Sequence, residues 1–219
     1  MRFSKIISLF LHPVFMPTLA LYLTLNLVES IRLVSAYYFT NLYMIVLVCT
    51  VALPLISVFF LIKNKLISSL EMADKKERSL PLLITGICIS YGYYLLSNIL
   101  SVSPILKSEI FGAMIIVFIS SIVSRFWKIS LHMLGIGGVA GVLFSLNFLY
   151  GGLLNEFILM VLLSGLLGVA RINENAHNHP QVYIGFLIGF LIEVVAILFF
   201  QNHINNFNLS FLHSINTIY

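Results

Sequence analysis

The sequence predicts an all-α fold, an integral membrane bundle of about six to seven transmembrane helices. Hydrophobic residues make up 60% of the 219-residue chain and charged residues only 9%, and the mean hydropathy is +1.04. The apolar residues are gathered into runs of roughly 20, the helix length that crosses a hydrocarbon layer about 30 Å thick. Because a soluble core does not absorb several such runs, soluble domains are excluded. We expect one transmembrane domain over residues 1–219.

Two basic residues precede the first apolar run, and two prolines interrupt it. No cleavage pattern follows, so we expect a retained first span at about residues 13–29 in place of a removed signal peptide. Prolines are tolerated near a helix start because the first amides lack intrahelical partners. We interpret His12 as an interfacial cap or anchor. A second span is expected at about residues 41–62, and the highly charged segment after it, residues 63–78, must lie outside the hydrocarbon.

Five further spans are expected at about residues 80–100, 110–124, 133–150, 152–170 and 181–200. Glycines four residues apart occur in the fifth span, at Gly137 and Gly141, and in the seventh, at Gly185 and Gly189. In apolar helices this spacing favours close helix packing over a phosphate loop. Glu193, in the middle of the seventh span, should face protein or a water-filled cavity. The polar tail, residues 201–219, is expected to carry no chemistry.

Three polar segments should emerge on one face of the membrane, because two spans separate each from the next. They are the end of the charged segment, residues 125–132 and the polar island at residues 170–181. Most lysines and arginines fall on the same face, so the positive-inside rule predicts a cytoplasmic site. The basic composition is therefore interpreted as membrane topology and anionic lipid binding, and no nucleic-acid partner is expected.

Histidines and cations share this face. Arginine and lysine donors suit phosphate oxygens and stabilise the charge of phosphoryl transfer. Of two histidines, His132 and His177, one can attack phosphorus while the other protonates the leaving oxygen. A metal bound by His177 and His179 is a weaker alternative. Cys49 and Cys88 fall inside apolar runs and are interpreted as small hydrophobic residues, with no disulfide.

The polar island resembles the third signature of the type-2 phosphatidic acid phosphatase superfamily, membrane lipid phosphatases related to haloperoxidases. That signature is Ser-Arg, five residues, His, three residues and Asp. Ala170-Arg171, five residues, His177, three residues and Gln181 keep its spacing. Gly185 also matches the small residue usual in the following helix. The region that resembles the family covers about residues 75–189.

The other two signatures are kept less well. Ser130 to His132 looks like the second signature, Pro-Ser-Gly-His, with isoleucine in place of proline and leucine in place of glycine. The first signature is Lys, six residues, Arg-Pro; Arg78 is its nearest counterpart, but Glu71 stands at the lysine position. Lys75 or Lys76 is a candidate substitute, since Lys75 shares a helical face with Arg78.

The resemblance implies a metal-independent phosphatase, without a cofactor, that hydrolyses a lipid phosphate or polyprenyl pyrophosphate in a bacterial inner (plasma) membrane. It implies that His177 is the nucleophile, that His132 is the general acid and that Gln181 orients His177. It also implies that Arg171 and Ser130 hold phosphate oxygens, and other cations on the same face extend this set. The expected substrate-binding residues are Arg171, Ser130, Arg78, Lys75 and Lys128.

Gln181 is the main departure from the family pattern. A glutamine oxygen accepts the same hydrogen bond as the family's aspartate but supplies no charge. Glu174, on the other side of His177, is a possible replacement for that charge. In a serine-protease triad the comparable Asp-to-Asn change lowers turnover by ~10⁴. An impaired relative that binds or transports a lipid phosphate is therefore the alternative function, and a small scaffolding bundle is a third. The orientation is also open, because many family members resemble enzymes that face away from the cytoplasm.

Overall fold

The computed structural model describes residues 2–69, 75–99 and 102–216, with side chains for residues 4–69, 77–99 and 102–201. Every regular element in these ranges is helical. Among the described residues, seven helices are long and apolar enough to cross a membrane, which confirms the predicted all-α membrane bundle. The candidate spans are Ser4–Leu27, Glu29–Lys63, Glu77–Ser97, Pro104–Val123, Leu131–Tyr150, Leu154–Asn173 and His179–Gln201.

The first span consists of α1 (Arg2–Phe10), a 3₁₀ turn (Pro13–Phe15) and α2 (Met16–Leu27). Pro13 opens the turn and Pro17 lies in the first turn of α2, where a missing N–H removes no helical hydrogen bond. The Nδ1 atom of His12 accepts a hydrogen bond from the Val14 N–H at 3.4 Å, so the predicted cap is confirmed. The sequence reasoning did not identify α1 as a helix.

The second span consists of α3 (Glu29–Ser35), a 3₁₀ turn (Ala36–Tyr38), α4 (Phe39–Leu47), a π-helical segment (Val48–Ala52) and α5 (Leu53–Lys63). It begins earlier than the predicted residues 41–62. Glu29 in the first turn of α3 suits the positive end of the helix dipole and pairs with Arg32 at 3.5 Å. The π segment precedes Pro54, whose missing N–H interrupts the α-helical hydrogen bonds.

The remaining helices are α6 (Lys75–Ser97), α7 (Pro104–Val123), α8 (Leu131–Tyr150), α9 (Leu154–Asn173) and α10 (His179–Asn216). The most deeply buried of the spans is α8, which packs against α10, α9, α2 and α7. The polar tail does not form a separate segment, because α10 continues from the seventh span to Asn216.

Glycines bring α8 and α10 into backbone contact. A Cβ atom at Gly137 or Gly141 would meet a backbone carbonyl oxygen of α10. One at Gly189 would meet a carbonyl oxygen of α8, and one at Gly185 would meet the carbonyl oxygen of Ser130, just before α8. Each helix thus presents its small residues to the backbone of the other. The predicted role of these glycines in close helix packing is confirmed.

Candidate functional site

The polar segments predicted on one face of the membrane meet at one end of the bundle. The Ser130 N–H, just before α8, donates a hydrogen bond to the Gln181 carbonyl oxygen in the first turn of α10 at 3.4 Å. Arg171, in the last turn of α9, interacts electrostatically with Arg78 near the start of α6 and with Lys128. The sequence prediction that these segments lie together is therefore confirmed.

His177 lies in the connection between α9 and α10 and is only 8% exposed. Its Nδ1 atom is 3.0 Å from Oε1 of Gln181. The Asn178 N–H donates to the same oxygen at 3.3 Å, which fixes the amide with its oxygen toward His177. Because that oxygen only accepts, Nδ1 of His177 carries the hydrogen. The Nε2 atom of a neutral His177 ring then keeps its lone pair.

The surroundings of His177 favour this neutral form. Burial lowers the pKa of His177 to about 4, the hydrogen bond to Gln181 raises it in part, and the positive charges of Arg78, Arg171 and Lys128 lower it further. Burial also lowers the pKa of Lys128, with added repulsion from Arg78 and Arg171. A neutral imidazole beside three cations is suited to meet an anion.

Gln181 also has a local structural role. Its backbone N–H donates to Oδ1 of Asn178 at 3.1 Å, while its side-chain oxygen accepts from the Asn178 N–H. This reciprocal pair is a capping box at the start of α10, with Asn178 as the cap residue and Gln181 three positions later. One side-chain oxygen therefore both caps the helix and orients His177.

Arg171 has an anionic partner within the protein. One terminal nitrogen of its guanidinium lies 2.5 Å from a carboxylate oxygen of Glu174, and both side chains are largely buried. The same nitrogen donates to Oγ of Ser8 on α1 at 3.0 Å. The Nε atom of Arg171 is buried and has no hydrogen-bond partner among the described residues. A substrate anion must therefore share Arg171 with Glu174 or displace it.

The N-terminal helix also determines which nitrogen of His132 can act. The Nε2 atom of His132 lies 3.0 Å from the backbone carbonyl oxygen of Ser8 and donates to it, because a carbonyl oxygen only accepts. The rings of His12 and His132 pack edge to face, with centroids 5.3 Å apart. Nδ1 is therefore the atom of His132 left for a substrate.

Two residues at this site were missed by sequence reasoning, and a third was given another partner. Glu174 was considered as a replacement for the aspartate that orients His177, but it pairs with Arg171, as its spacing of three residues on a helix end indicates. Ser8 and His12 were missed as site residues because the N-terminal segment was not identified as a helix that packs against α9. No motif in the sequence points to Ser8.

Of the remaining predicted residues, the structure describes Ser130 and Gly185 in full, but it does not describe the side chain of Lys75 or any part of Glu71. Ser130 is fully buried, and its Oγ atom has no hydrogen-bond partner among the described residues. A Cβ atom at Gly185 would lie 3.0 Å from the Ser130 carbonyl oxygen, which explains the small residue there. The side chain of Lys75 lies outside the described side chains, and Glu71 lies outside the described residues altogether.

The two neighbouring histidines of the polar island point to different partners. His177 binds Gln181, whereas the ring of His179 stacks on Tyr183 with centroids 6.3 Å apart. Within the described residues, no three His, Cys, Asp or Glu side chains are grouped in a way that could hold a metal ion. Comparisons with known proteins found no matching protein family, no matching curated protein and no matching solved structure.

Proposed function

We propose that the protein is a membrane phosphatase that hydrolyses a lipid phosphate or a polyprenyl pyrophosphate through a phosphohistidine on His177. The main supporting observation is the neutral His177 ring, held by Gln181 and placed beside three cations. Cations gathered in a partly desolvated space repel one another and favour a bound anion. A nucleophilic nitrogen among phosphate-binding groups is the arrangement that phosphoryl transfer to histidine needs.

In the first step Nε2 of His177 attacks phosphorus and the bond to the leaving oxygen breaks. The ring becomes positively charged, and Gln181 keeps it oriented by accepting the Nδ1 hydrogen. Arg78, Lys128 and Arg171 stabilise the phosphoryl oxygens electrostatically. Water then hydrolyses the phosphohistidine and releases inorganic phosphate.

His132 supplies the proton for the leaving oxygen. Since its Nε2–H is held by the Ser8 carbonyl, the donating atom is Nδ1, which takes up its proton when the negatively charged phosphate group binds beside the ring. After the leaving group departs, the neutral His132 ring accepts a proton from the attacking water. The buried hydroxyl of Ser130, which has no partner among the described residues, supplies a further donor to a phosphate oxygen.

The test uses purified protein in detergent with a chelator present and with phosphatidic acid or a polyprenyl pyrophosphate as substrate. Phosphate release should be abolished in His177→Ala and retained in the matched control His179→Ala, because His179 is exposed and stacks on Tyr183. An acid-labile, alkali-stable phosphoenzyme should form only when His177 is present. Equal phosphate release by the two variants would exclude the mechanism.

A second candidate function is binding or transport of a lipid phosphate without hydrolysis. It is favoured by the uncharged Gln181 and by the carboxylate of Glu174 on Arg171. This function predicts lipid-phosphate binding that survives His177→Ala and is weakened by Arg171→Ala. Phosphate release from the wild-type protein that depends on His177 would exclude it.

The proposal includes a location, the inner (plasma) membrane of a bacterium, with the site on the cytoplasmic face and membrane lipid as the partner. The excess of lysine and arginine on the site face supports this orientation. In Asn178→Cys, which places an exposed thiol beside His177, an impermeant thiol reagent should label inverted membrane vesicles but not intact spheroplasts. The opposite pattern of labelling would place the site on the outer face.

A further inference from the structure

A second polar group lies inside the bundle, away from the candidate site. Glu109 on α7 and Glu193 on α10 are 3% and 4% exposed. Pro104, the first residue of α7, lies at the end of the bundle opposite the candidate site. Glu109 lies about 8 Å along the helix axis from Pro104. Glu193 lies about 21 Å along α10 from its start at the site. In a hydrocarbon layer about 30 Å thick, the two side chains are at similar depth.

The two carboxyl groups interact with each other, and one has an unfilled hydrogen-bonding position. Glu109 acts electrostatically on Glu193. The hydroxyl of Thr24, on α2, donates to Oε1 of Glu109 at 2.6 Å. Oε2 of Glu193 is buried and has no hydrogen-bond partner among the described residues. This oxygen lies against Gly112, one helical turn after Glu109 on α7, so it is directed at the face of α7 that carries Glu109.

Glycines make room for the Glu193 carboxyl group on two neighbouring helices. A Cβ atom at Gly112 on α7 would clash with the carboxyl oxygens of Glu193. On α8, a Cβ atom at Gly138 would lie 3.4 Å from Cγ of Glu193, and one at Gly141 would lie 3.0 Å from its Cβ. Gly141 also serves helix packing, whereas the three atoms nearest to a Cβ at Gly112 all belong to the Glu193 carboxyl group.

Among the described residues, neither carboxyl group is in a salt bridge with a cation. The pair contacts the Thr24 hydroxyl on α2 and glycines on α7 and α8. The salt bridges among the described residues, Arg32 with Glu29 and Arg171 with Glu174, do not include it. Two ionised carboxylates side by side in a low-dielectric interior are strongly unfavourable. Charge balance therefore requires a cation, and none of the described side chains forms a salt bridge with the pair to supply it.

We propose that Glu109 and Glu193 form an intramembrane binding site for a monovalent cation, H⁺ or Na⁺. The carboxyl oxygens are the ligands, with the free oxygen of Glu193 as the open position and Thr24 holding Glu109 in place. Ionisable groups inside a membrane commonly serve ion binding or proton transfer. The site is remote from His177 and does not depend on the phosphatase proposal.

The test is the thermal unfolding midpoint of the purified protein in detergent, with NaCl exchanged for choline chloride at constant ionic strength and with pH varied. A cation that binds only the folded state raises the midpoint; ten- to hundredfold saturation in a chain of this length gives roughly 3–10 °C. Glu193→Gln and Glu109→Gln should each lose this response. The control Glu29→Gln, which changes an exposed carboxylate, should keep it.

Infrared spectroscopy distinguishes the two cations and also covers variants that fold poorly. A carbonyl band of a protonated carboxyl group that is lost in both glutamine variants, with no effect of Na⁺, identifies the proton as the ligand. A band that disappears when Na⁺ is added to the wild-type protein identifies Na⁺. The proposal is overturned if the wild-type protein shows neither a band nor a midpoint that responds to Na⁺, or if Glu193→Gln and Glu29→Gln respond equally to Na⁺ and pH.

Discussion

Gln181→Glu tests whether the missing carboxylate limits the reaction at His177. The substitution keeps the helix cap, because a capping box accepts either glutamate or glutamine at this position. The oxygen lies 3.0 Å from Nδ1 of His177, and two unit charges at that distance interact by about 5.5 kcal/mol at an effective dielectric constant of about 20. Desolvation of the new carboxylate and the spread of its charge reduce this value. An opposite charge so close typically raises a pKa by about 1–3 units, or about 1.4–4 kcal/mol.

The same stabilisation applies to the positive ring that forms when His177 attacks phosphorus. We therefore expect phosphoenzyme formation to be about 10- to 10³-fold faster in Gln181→Glu than in the wild-type protein. The assay is rapid-quench trapping of labelled phosphate on the purified protein at about pH 8, where His177 stays mostly neutral even after its pKa rises. Steady-state phosphate release follows the same order if attack is rate-limiting.

Asn175→Asp is the matched control, because it adds the same charge to the same loop at an exposed residue. Asn175 has φ 53, in the left-handed region that aspartate also tolerates. If Gln181→Glu forms the phosphoenzyme no faster than Asn175→Asp, the idea that the missing negative charge beside Nδ1 of His177 limits turnover is refuted. A rate gain that persists after His177→Ala would show that His177 is not the nucleophile.

Stability at low pH, phosphate affinity and helix packing each give a further prediction. Burial lowers the pKa of His177 from 6.5 to about 4. The contribution of the neutral ring to stability is therefore complete above about pH 6.5 and is lost as the pH falls toward about 4. In denaturant titrations over that range, the free energy of unfolding of the wild-type protein should fall by about 3 kcal/mol more than that of His177→Gln. Glu174→Gln removes the internal anion from Arg171 and should tighten phosphate binding about three- to tenfold by calorimetry; an unchanged Kd would separate Arg171 from the phosphate site. Gly189→Ala should lower the free energy of unfolding by about 1–3 kcal/mol, because the added Cβ would meet backbone of α8. Gly165→Ala, whose Cβ would have no atom within 4 Å, should be neutral or stabilising by up to about 1 kcal/mol; equal losses for the two glycine variants would contradict the packing argument.

Much of the fold could be predicted because its determinants are local in sequence. The length of each apolar run predicted seven crossings, and the structure has seven candidate spans among its described residues. Glycine spacing predicted the close packing of α8 and α10. Span parity predicted which polar segments share a face. The boundaries were less accurate at α1 and at the start of the second span, where amphipathic and charged residues extend helices beyond the apolar run.

The candidate site was predicted in part. The spacing of Arg171, His177 and Gln181 suggested that they act together, and two of them form a hydrogen bond. The sequence did not indicate that Gln181 also caps α10, because both uses of the oxygen depend on the backbone at Asn178. The pairing of Glu174 with Arg171 was available from helical spacing but was not assigned.

By itself, the sequence determined a seven-span helical bundle with one polar end, because run length and residue polarity act at every position independently. Tertiary structure decided the interactions between distant residues: the hydrogen bonds of Ser8 with His132 and Arg171, and the electrostatic interaction of Glu109 with Glu193. These interactions join residues more than 80 positions apart, and no sequence periodicity predicts pairings over that distance. Hydrogen bonds and charge pairs change with shifts of about 1 Å, so only the packed helices determine which atoms meet.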